Sequence, residues 1–185
     1  MNREAFEHLI RAAHDIVRDD LVVVGSQALL GVSPTPEPAL LRAMELDLYP
    51  RQDPKRAIEI DGAIGDGSRF QETFGYYAHG VGPETIIAPA GWRERLVQVR
   101  VPTRSGDAIA WCLSIDDLLL SKLAAGRSHD LDFVETALAT NLTTAEALRL
   151  GVPLIPKSDS EDVAERLEGV IARVKHRLEF ESPEL

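Results

Sequence analysis

The stretch Leu21-Val22-Val23-Val24-Gly25-Ser26 decides the fold that this sequence predicts. Four consecutive apolar residues, three of them β-branched, are typical of a short strand that is buried on both faces. The strand ends at a glycine, and the residues after the serine, Gln27-Ala28-Leu29-Leu30, can begin a helix. The stretch therefore predicts a buried strand, a turn and a helix start, with Gly25 or Ser26 near the N-cap.

A second strand is predicted by Met44-Glu45-Leu46-Asp47-Leu48-Tyr49, in which polar and apolar residues alternate before a proline. Residues two apart in a strand share a face, so Glu45 and Asp47 project side by side while the two leucines face the core. Adjacent carboxylates repel each other unless a cation lies between them. The pair indicates either a Mg²⁺ site, since Mg²⁺ binds carboxylates and substrate phosphates, or the solvated face of an edge strand.

The turn at Gly25 and Ser26 has the features of a phosphate-binding turn. Free backbone N–H groups and the helix dipole favour an anion at the start of a helix. A glycine lets a phosphate approach the backbone, and a serine hydroxyl adds a hydrogen-bond donor. The alternative is that Gly25 serves only to turn the chain.

The remaining periodicity predicts the order of the other elements. Helices are expected at 3–18, with Asn2 as N-cap, and at 54–64, with Asp53 as N-cap. Glycines and the loss of periodicity predict a long surface loop or lid over 65–82, in which His79 either touches substrate or is only polar surface. Further strands are expected at 85–88, 95–101 and 108–113, followed by helices only, the last of them after Ser158.

This order predicts an α/β (α+β) fold, with a mixed sheet flanked by helices and a small C-terminal helical bundle. We expect residues 1–113 to form the core and 114–185 to form a helical part of the same compact unit. The sequence does not determine the oligomeric state.

The composition limits the classes of partner and location. The chain has 185 residues, 44% of them hydrophobic, with one cysteine and a net charge of −10. No apolar run reaches the roughly 20 residues of a membrane helix, and the first residues lack a signal-peptide pattern. We therefore expect a cytoplasmic protein without membrane contact. The net charge excludes a chain-wide basic surface, so Arg93, Arg95, Arg100 and Arg104 form either a local RNA-docking patch or a solvated strand face.

A second group of charged residues follows a predicted helix. Lys122 shares the apolar face of that helix, which is costly unless its ammonium reaches water or meets an anion. Arg127 lies between this helix and the next, and Asp130 and Asp132 lie in the first turn of the latter, where acids are favoured by the dipole. Arg127 either caps carbonyls or pairs with a carboxylate.

Taken in order, these motifs resemble the polymerase-beta-like nucleotidyltransferase superfamily. The superfamily pattern is a strand that ends in Gly-Ser, followed some twenty residues later by an acidic–x–Asp strand, here Glu45-Leu46-Asp47. The later Lys122-x4-Arg127-x2-Asp130 resembles the AbiEii-like branch, the nucleotidyltransferase toxins of bacterial toxin–antitoxin and abortive-infection systems. The resemblance covers about residues 18–140.

The resemblance implies a role for each matching residue. Gly25 and Ser26 would hold the triphosphate of an NTP, and Glu45 and Asp47 would hold one or two Mg²⁺ ions. Lys122 and Arg127 would bind the nucleotide, Lys122 through its phosphate. Asp130 would act as a base or orient the acceptor. Two departures are a glutamate at the first metal position and the absence of an evident third carboxylate on a later strand, where Gln98 and Arg100 stand.

The function expected from these residues is Mg²⁺-dependent transfer of an NMP from an NTP to a hydroxyl acceptor. As a toxin, the protein would modify the tRNA 3′ end or another RNA and would bind a cognate antitoxin protein. One alternative is a non-catalytic module of degenerate nucleotidyltransferase fold that binds a nucleotide or a protein. Another is a small-molecule, antibiotic-type nucleotidyltransferase.

Overall fold

The computed structural model describes residues 1–181, which divide into two compact units. The first unit contains Met1–Ile86 and Arg93–Ser114, and the second contains Ile87–Trp92 and the chain from Ile115 onward. The predicted class, a mixed sheet with flanking helices followed by helices alone, is confirmed.

The first unit contains a five-stranded sheet and four helices. The strands are β1 (Leu21–Val23), β2 (Glu45–Pro50), β3 (Tyr77–Gly80), β4 (Val97–Thr103) and β5 (Gly106–Cys112). The helices are α1 (Arg3–Val17), α2 (Leu29–Val32), α3 (Ala57–Ile64) and α4 (Arg69–Phe74). The strand order is β3-β2-β1-β5-β4, with β1 antiparallel to β2 and parallel to β5.

One face of the sheet is apolar and packs against helices. Helix α1 contacts all five strands, and α3 contacts β2 and β3. Leu46 and Leu48 of β2 are fully buried, as are Val101 and Ala110 of the β4–β5 pair. Because side chains alternate along a strand, the opposite face of β2 presents Glu45, Asp47 and Tyr49.

The expected loop or lid over residues 65–82 is wrong. Ser68 caps α4 by accepting a hydrogen bond from the N–H of Gln71, and Gly75 ends that helix in the left-handed conformation. Strand β3 then pairs in parallel with β2. A four-residue strand next to glycines has too few residues to show a period, so its pairing with a distant strand was not visible in the sequence.

Two smaller expectations are also wrong. No strand forms at 85–88: Thr85 ends the 3-10 turn Pro83–Thr85, and residues 86–88 have no regular secondary structure. Asp53 precedes a 3-10 turn, Pro54–Arg56, and its side chain makes no capping hydrogen bond. By contrast, Asn2 caps α1 as expected, since its side-chain oxygen accepts a hydrogen bond from the N–H of Ala5. Strand β2 lies inside the sheet between β3 and β1, so it is not an edge strand.

As far as residue 181, the second unit is a bundle of four α-helices. They are α5 (Ile115–Ala125), α6 (Ser128–Ala139), α7 (Ala145–Gly151) and α8 (Lys157–Glu181). Helix α8 contacts each of the other three, and its buried residues repeat at helical spacing, as in Val163, Leu167 and Val170. Within residues 1–181, none of the helices combines the length and apolar character that crossing a bilayer requires.

Candidate active site

Gly25 stands where β1 ends and has a backbone conformation that suits only glycine. Its φ is +67° and its ψ is −174°, a combination that strains any residue with a Cβ atom. The preceding residue, Val24, donates its backbone N–H to the carbonyl oxygen of Asp47 at 2.9 Å. The turn is therefore joined directly to β2 at the position of the second predicted carboxylate.

The side chain of Asp47 is directed at Gly25. A Cβ atom placed on Gly25 would overlap a carboxylate oxygen of Asp47, whose Cγ would lie 3.1 Å away. The close approach of a carboxylate to this backbone is possible only because position 25 has no side chain. The structure thus brings together Gly25 and Asp47, two of the residues that the sequence assigned to one site.

Ser26 begins a short 3-10 turn, Ser26–Ala28, which continues into the four-residue helix α2. Among the hydrogen bonds of residues 1–181, none engages the Ser26 hydroxyl or the Gly25 N–H. So short a helix has little dipole to attract an anion. Any phosphate contact at this turn therefore depends on the hydroxyl and the N–H groups themselves.

Glu45 and Asp47 share the face of β2 that is opposite the apolar core, as predicted. Both are partly exposed, whereas Leu46 and Leu48 between and after them are fully buried. The two carboxylates are thus reachable from solvent on a strand whose other face is held rigidly by the core.

Each carboxylate has a hydrogen-bonding partner on β3, which the sequence analysis missed. In the parallel pairing, Tyr77 is in register with Glu45, and His79 with Asp47. The Tyr77 hydroxyl donates to Glu45 Oε2 at 2.9 Å, and His79 Nδ1 lies 2.9 Å from Asp47 Oδ1. His79 is therefore a neighbour of the carboxylate pair and not only polar surface.

The contact with Glu45 changes the pKa of the Tyr77 hydroxyl. Its hydrogen bond to the Glu45 carboxylate, reinforced by burial, raises the pKa of Tyr77 to about 12. The hydroxyl therefore stays protonated at neutral pH and acts as a fixed donor to Glu45. This bond holds one carboxylate in a defined orientation.

The two carboxylates fit Mg²⁺ by their chemistry. Mg²⁺ is usually bound through one or two carboxylates and takes its other ligands from substrate phosphates and water. Glu45 and Asp47 supply such a pair, next to a turn with unengaged donors. Within residues 1–181, no group of three or more His, Cys, Asp and Glu side chains is arranged to hold a metal ion.

The second predicted group comes together inside the helical unit. Lys122 on α5 is only 8% exposed, and its Nζ donates to Asp130 Oδ1 at 2.7 Å. Arg127 Nε donates to the other carboxylate oxygen of Asp130 at 2.6 Å, and Asp130 is fully buried. Lys122 also lies over the ring of Phe133, 4.5 Å from its centroid. Of the two alternatives for Lys122, its ammonium therefore pairs with an anion, the Asp130 carboxylate, and does not extend into water.

The carboxyl of Asp130 has a lowered pKa. Burial raises that pKa, but the hydrogen bonds and charges of Arg127 and Lys122 outweigh burial and lower it overall. A carboxylate that is stabilised in this way is a weak proton acceptor. The geometry therefore suits Asp130 better to orienting Lys122 and Arg127 than to removing a proton.

The lowered pKa of Asp130 predicts a pH dependence of stability. A carboxyl with a folded-state pKa below its unfolded value stabilises the protein above the unfolded pKa, and this contribution disappears as the pH falls through the folded pKa. Urea unfolding should therefore show a constant difference between wild type and Asp130→Asn above about pH 5, and a shrinking difference below about pH 4. A difference that stays constant down to pH 3 would contradict the assignment.

The four arginines of the predicted basic patch do not share one structural element. Arg93 and Arg95 lie in the 3-10 turn Trp92–Arg95, Arg100 lies on β4, and Arg104 lies in the turn between β4 and β5. Arg100 is 3.7 Å from Asp107 across the hairpin. The four arginines remain candidates for contacts with a polyanion, but as separate residues and not as one patch on a single element.

Comparison with known proteins identifies the family. A family model described as "Nucleotidyltransferase of unknown function (DUF6036)" matches residues 4–152. The match includes every residue that the sequence analysis assigned to the site. No curated protein and no solved structure matches the chain.

Proposed function

Because the chain belongs to this family of nucleotidyltransferases of unknown function, we propose that it transfers an NMP group from an NTP to a hydroxyl acceptor at the Gly25–Asp47 site. One observation above all supports the proposal: the Asp47 carboxylate lies against the bare backbone of Gly25, beside Glu45 on the same strand face. Carboxylates for a metal and donors for a phosphate are thus adjacent.

The proposed roles follow from the contacts of each residue. Glu45 and Asp47 would hold Mg²⁺, which supplies charge neutralisation for the triphosphate. Tyr77 and His79 keep the two carboxylates oriented. Ser26 and the N–H of Gly25 would donate to phosphate oxygens, because no hydrogen bond among residues 1–181 engages them.

In the proposed reaction the acceptor oxygen bonds to the α-phosphorus, the bond from that phosphorus to the bridging oxygen breaks, and pyrophosphate leaves. The hydroxyl proton passes to water or to a carboxylate. Most of the rate enhancement would come from positioning and electrostatics, as in other phosphoryl transfers.

The resemblance extends the proposal to the helical unit and to the acceptor. By the resemblance, Lys122 and Arg127 would contact phosphate, and Asp130 would act as a base or orient the acceptor; its hydrogen bonds to Lys122 and Arg127 favour an orienting role. An AbiEii-like toxin would modify the tRNA 3′ end in the cytoplasm and would be neutralised by an antitoxin protein. These assignments depend on motif similarity, in contrast to the carboxylate site, which also has its own geometry.

The test is incorporation of label from each of the four NTPs into total tRNA in the presence of Mg²⁺, with thermal stabilisation by Mg²⁺–NTP measured on the same protein. We expect one NTP to label tRNA and to raise the Tm, and both effects to disappear in Glu45→Ala and Asp47→Ala. Stabilisation without labelling of tRNA or small hydroxyl acceptors would support the non-catalytic alternative. Labelling of small molecules alone would support the antibiotic-type alternative.

Gly25→Ala is predicted to disturb both folding and transfer. The new Cβ would meet the Asp47 carboxylate at a positive φ, so Asp47 must move. A displacement of about 1 Å at a reacting centre costs on the order of 10²-fold in rate. We expect that loss in labelled-nucleotide incorporation, with a lower Tm.

Gly67→Ala is the matched control. Gly67 has a φ of +70°, and nothing lies within 4 Å of the position its Cβ would occupy. It should lose roughly 1 kcal/mol of stability from backbone strain and keep its transfer rate. Equal rate losses in the two variants would mean that strain, and not the contact with Asp47, matters at position 25.

A further inference from the structure

A cleft in the first unit lies on the same sheet face as the carboxylate pair. Its cavity of about 190 Å³ is lined by Val22, Tyr49, Arg51, Pro54, Pro83, Arg93 and Leu96. Tyr49 follows Asp47 by two residues on β2, so it projects from the same face about 7 Å farther along the strand. The cleft is therefore close to the proposed site but is formed by different residues.

Arg51 is held in place before any ligand binds. Its guanidinium carbon lies 4.1 Å from the ring centroid of Trp111, a stacked arrangement. Asp20 Oδ2 accepts a hydrogen bond from Trp111 Nε1 at 2.9 Å and lies 3.8 Å from Arg51 Nη1. The loose ion pair and the stacking orient the guanidinium while leaving much of its donor capacity available.

Arg93 is positioned by an aromatic residue as well. Tyr49 is only 3% exposed, and its side chain is hydrogen-bonded to Arg93. Burial raises the pKa of Tyr49, and the charge and hydrogen bond of Arg93 partly oppose that rise. Two arginines thus line one cleft, each fixed against an aromatic side chain.

The residues of the lining favour a phosphodiester over the more highly charged triphosphate. Among the residues that the structure describes, the lining contains two arginines and no acidic residue, in a protein with a net charge of −10. Arginine binds phosphate oxygens through paired donors. A triphosphate normally binds together with Mg²⁺, for which this lining has no carboxylate. The apolar walls, including Leu96 and Pro83, suit the sugar and base that accompany a phosphodiester.

We propose that the cleft of Arg51 and Arg93 binds a backbone phosphate of a nucleic-acid acceptor strand, which places the 3′ end of that strand toward Asp47. This inference rests on the proposed function for its biological meaning, but phosphate binding by the cleft is measurable by itself. Arg95, Arg100 and Arg104 do not line the cleft.

The test measures binding of a fluorescent single-stranded RNA with a free 3′-hydroxyl to wild type, Arg51→Gln and Arg93→Gln. Each substitution should weaken the affinity roughly tenfold and reduce the slope of log affinity against log salt by about one. Arg18→Gln, an exposed arginine of α1's C-terminal end that does not line the cleft and was never assigned to an RNA contact, is the control and should change the affinity less than about twofold. Thermal stabilisation by Mg²⁺–NTP should not change in the cleft variants.

The outcomes separate this inference from the proposed function. RNA affinity that is unchanged in both cleft variants, or no RNA binding by wild type, would overturn it. Loss of Mg²⁺–NTP stabilisation without loss of RNA affinity would assign the cleft to the nucleotide's own phosphates and would also overturn it. RNA binding that depends on Arg51 and Arg93, in a protein that fails to bind any NTP, would support the cleft and contradict the proposed reaction.

Discussion

Asp47→Asn is expected to reduce nucleotidyl transfer by on the order of 10³-fold or more, which corresponds to several kcal/mol in the barrier. The amide has nearly the same shape as the carboxylate, so it fits beside Gly25 and can still face His79. It lacks the negative charge that a Mg²⁺ ligand needs. The measurement is the single-turnover rate of labelled-nucleotide incorporation, together with the Tm in the presence and absence of Mg²⁺–NTP.

The control for Asp47→Asn is Asp15→Asn. Asp15 is an exposed acid on α1 that pairs only with the neighbouring exposed Arg18 among the ion pairs of residues 1–181. Its loss removes one negative charge without touching the carboxylate pair, so the transfer rate should stay within about twofold of wild type. A rate for Asp47→Asn within tenfold of wild type would remove the carboxylate pair from the mechanism.

Asp130→Asn is expected to lower the free energy of unfolding by about 3–5 kcal/mol, because it leaves the ammonium of Lys122 buried without a counter-charge. Lys122 is 8% exposed and directly bonded to the Asp130 carboxylate, and contact with the Phe133 ring compensates only part of that loss. Urea unfolding at pH 7 measures the change. A loss below 1 kcal/mol would mean that Lys122 reaches water when Asp130 is neutral.

The double variant Lys122→Met, Asp130→Leu separates stability from function. Replacing both buried partners by apolar residues of similar size should recover most of the lost stability, since no buried charge is then left unpaired. Arg127, which also loses Asp130, is 65% exposed and is solvated by water. If the double variant folds but transfers no nucleotide, the phosphate-binding role proposed for Lys122 is supported. If it folds and keeps wild-type activity, the pair serves only to stabilise the helical unit.

Much of the architecture was readable from local pattern. The apolar run before Gly25 and the alternation of residues 44–49 predicted β1 and β2, and the alternation correctly assigned Glu45 and Asp47 to one face. The capping residue Asn2 and the stripe of α8 were equally direct. These features depend on the spacing of apolar residues and on neighbours within one helical turn or one strand. The local sequence is therefore sufficient to predict them.

The predictions that are wrong concern elements whose formation depends on contacts between distant segments. Strand β3 exists because it pairs with β2, about 30 residues earlier, and that pairing adds Tyr77 and His79 to the carboxylate pair. Four residues between glycines contain no period that could have predicted it. For the same reason, the local pattern of residues 65–82 predicts a loop.

Sequence by itself determined the strand faces, the glycine turn and the order of the motifs, because side-chain alternation and backbone preference are local properties. The tertiary structure decided which groups meet: Asp47 with Gly25, His79 with Asp47, and Arg51 with Arg93 around one cleft. Strand pairing and packing make these contacts between residues far apart in the chain, and the free energy of such pairing depends on the whole sheet rather than on any one segment.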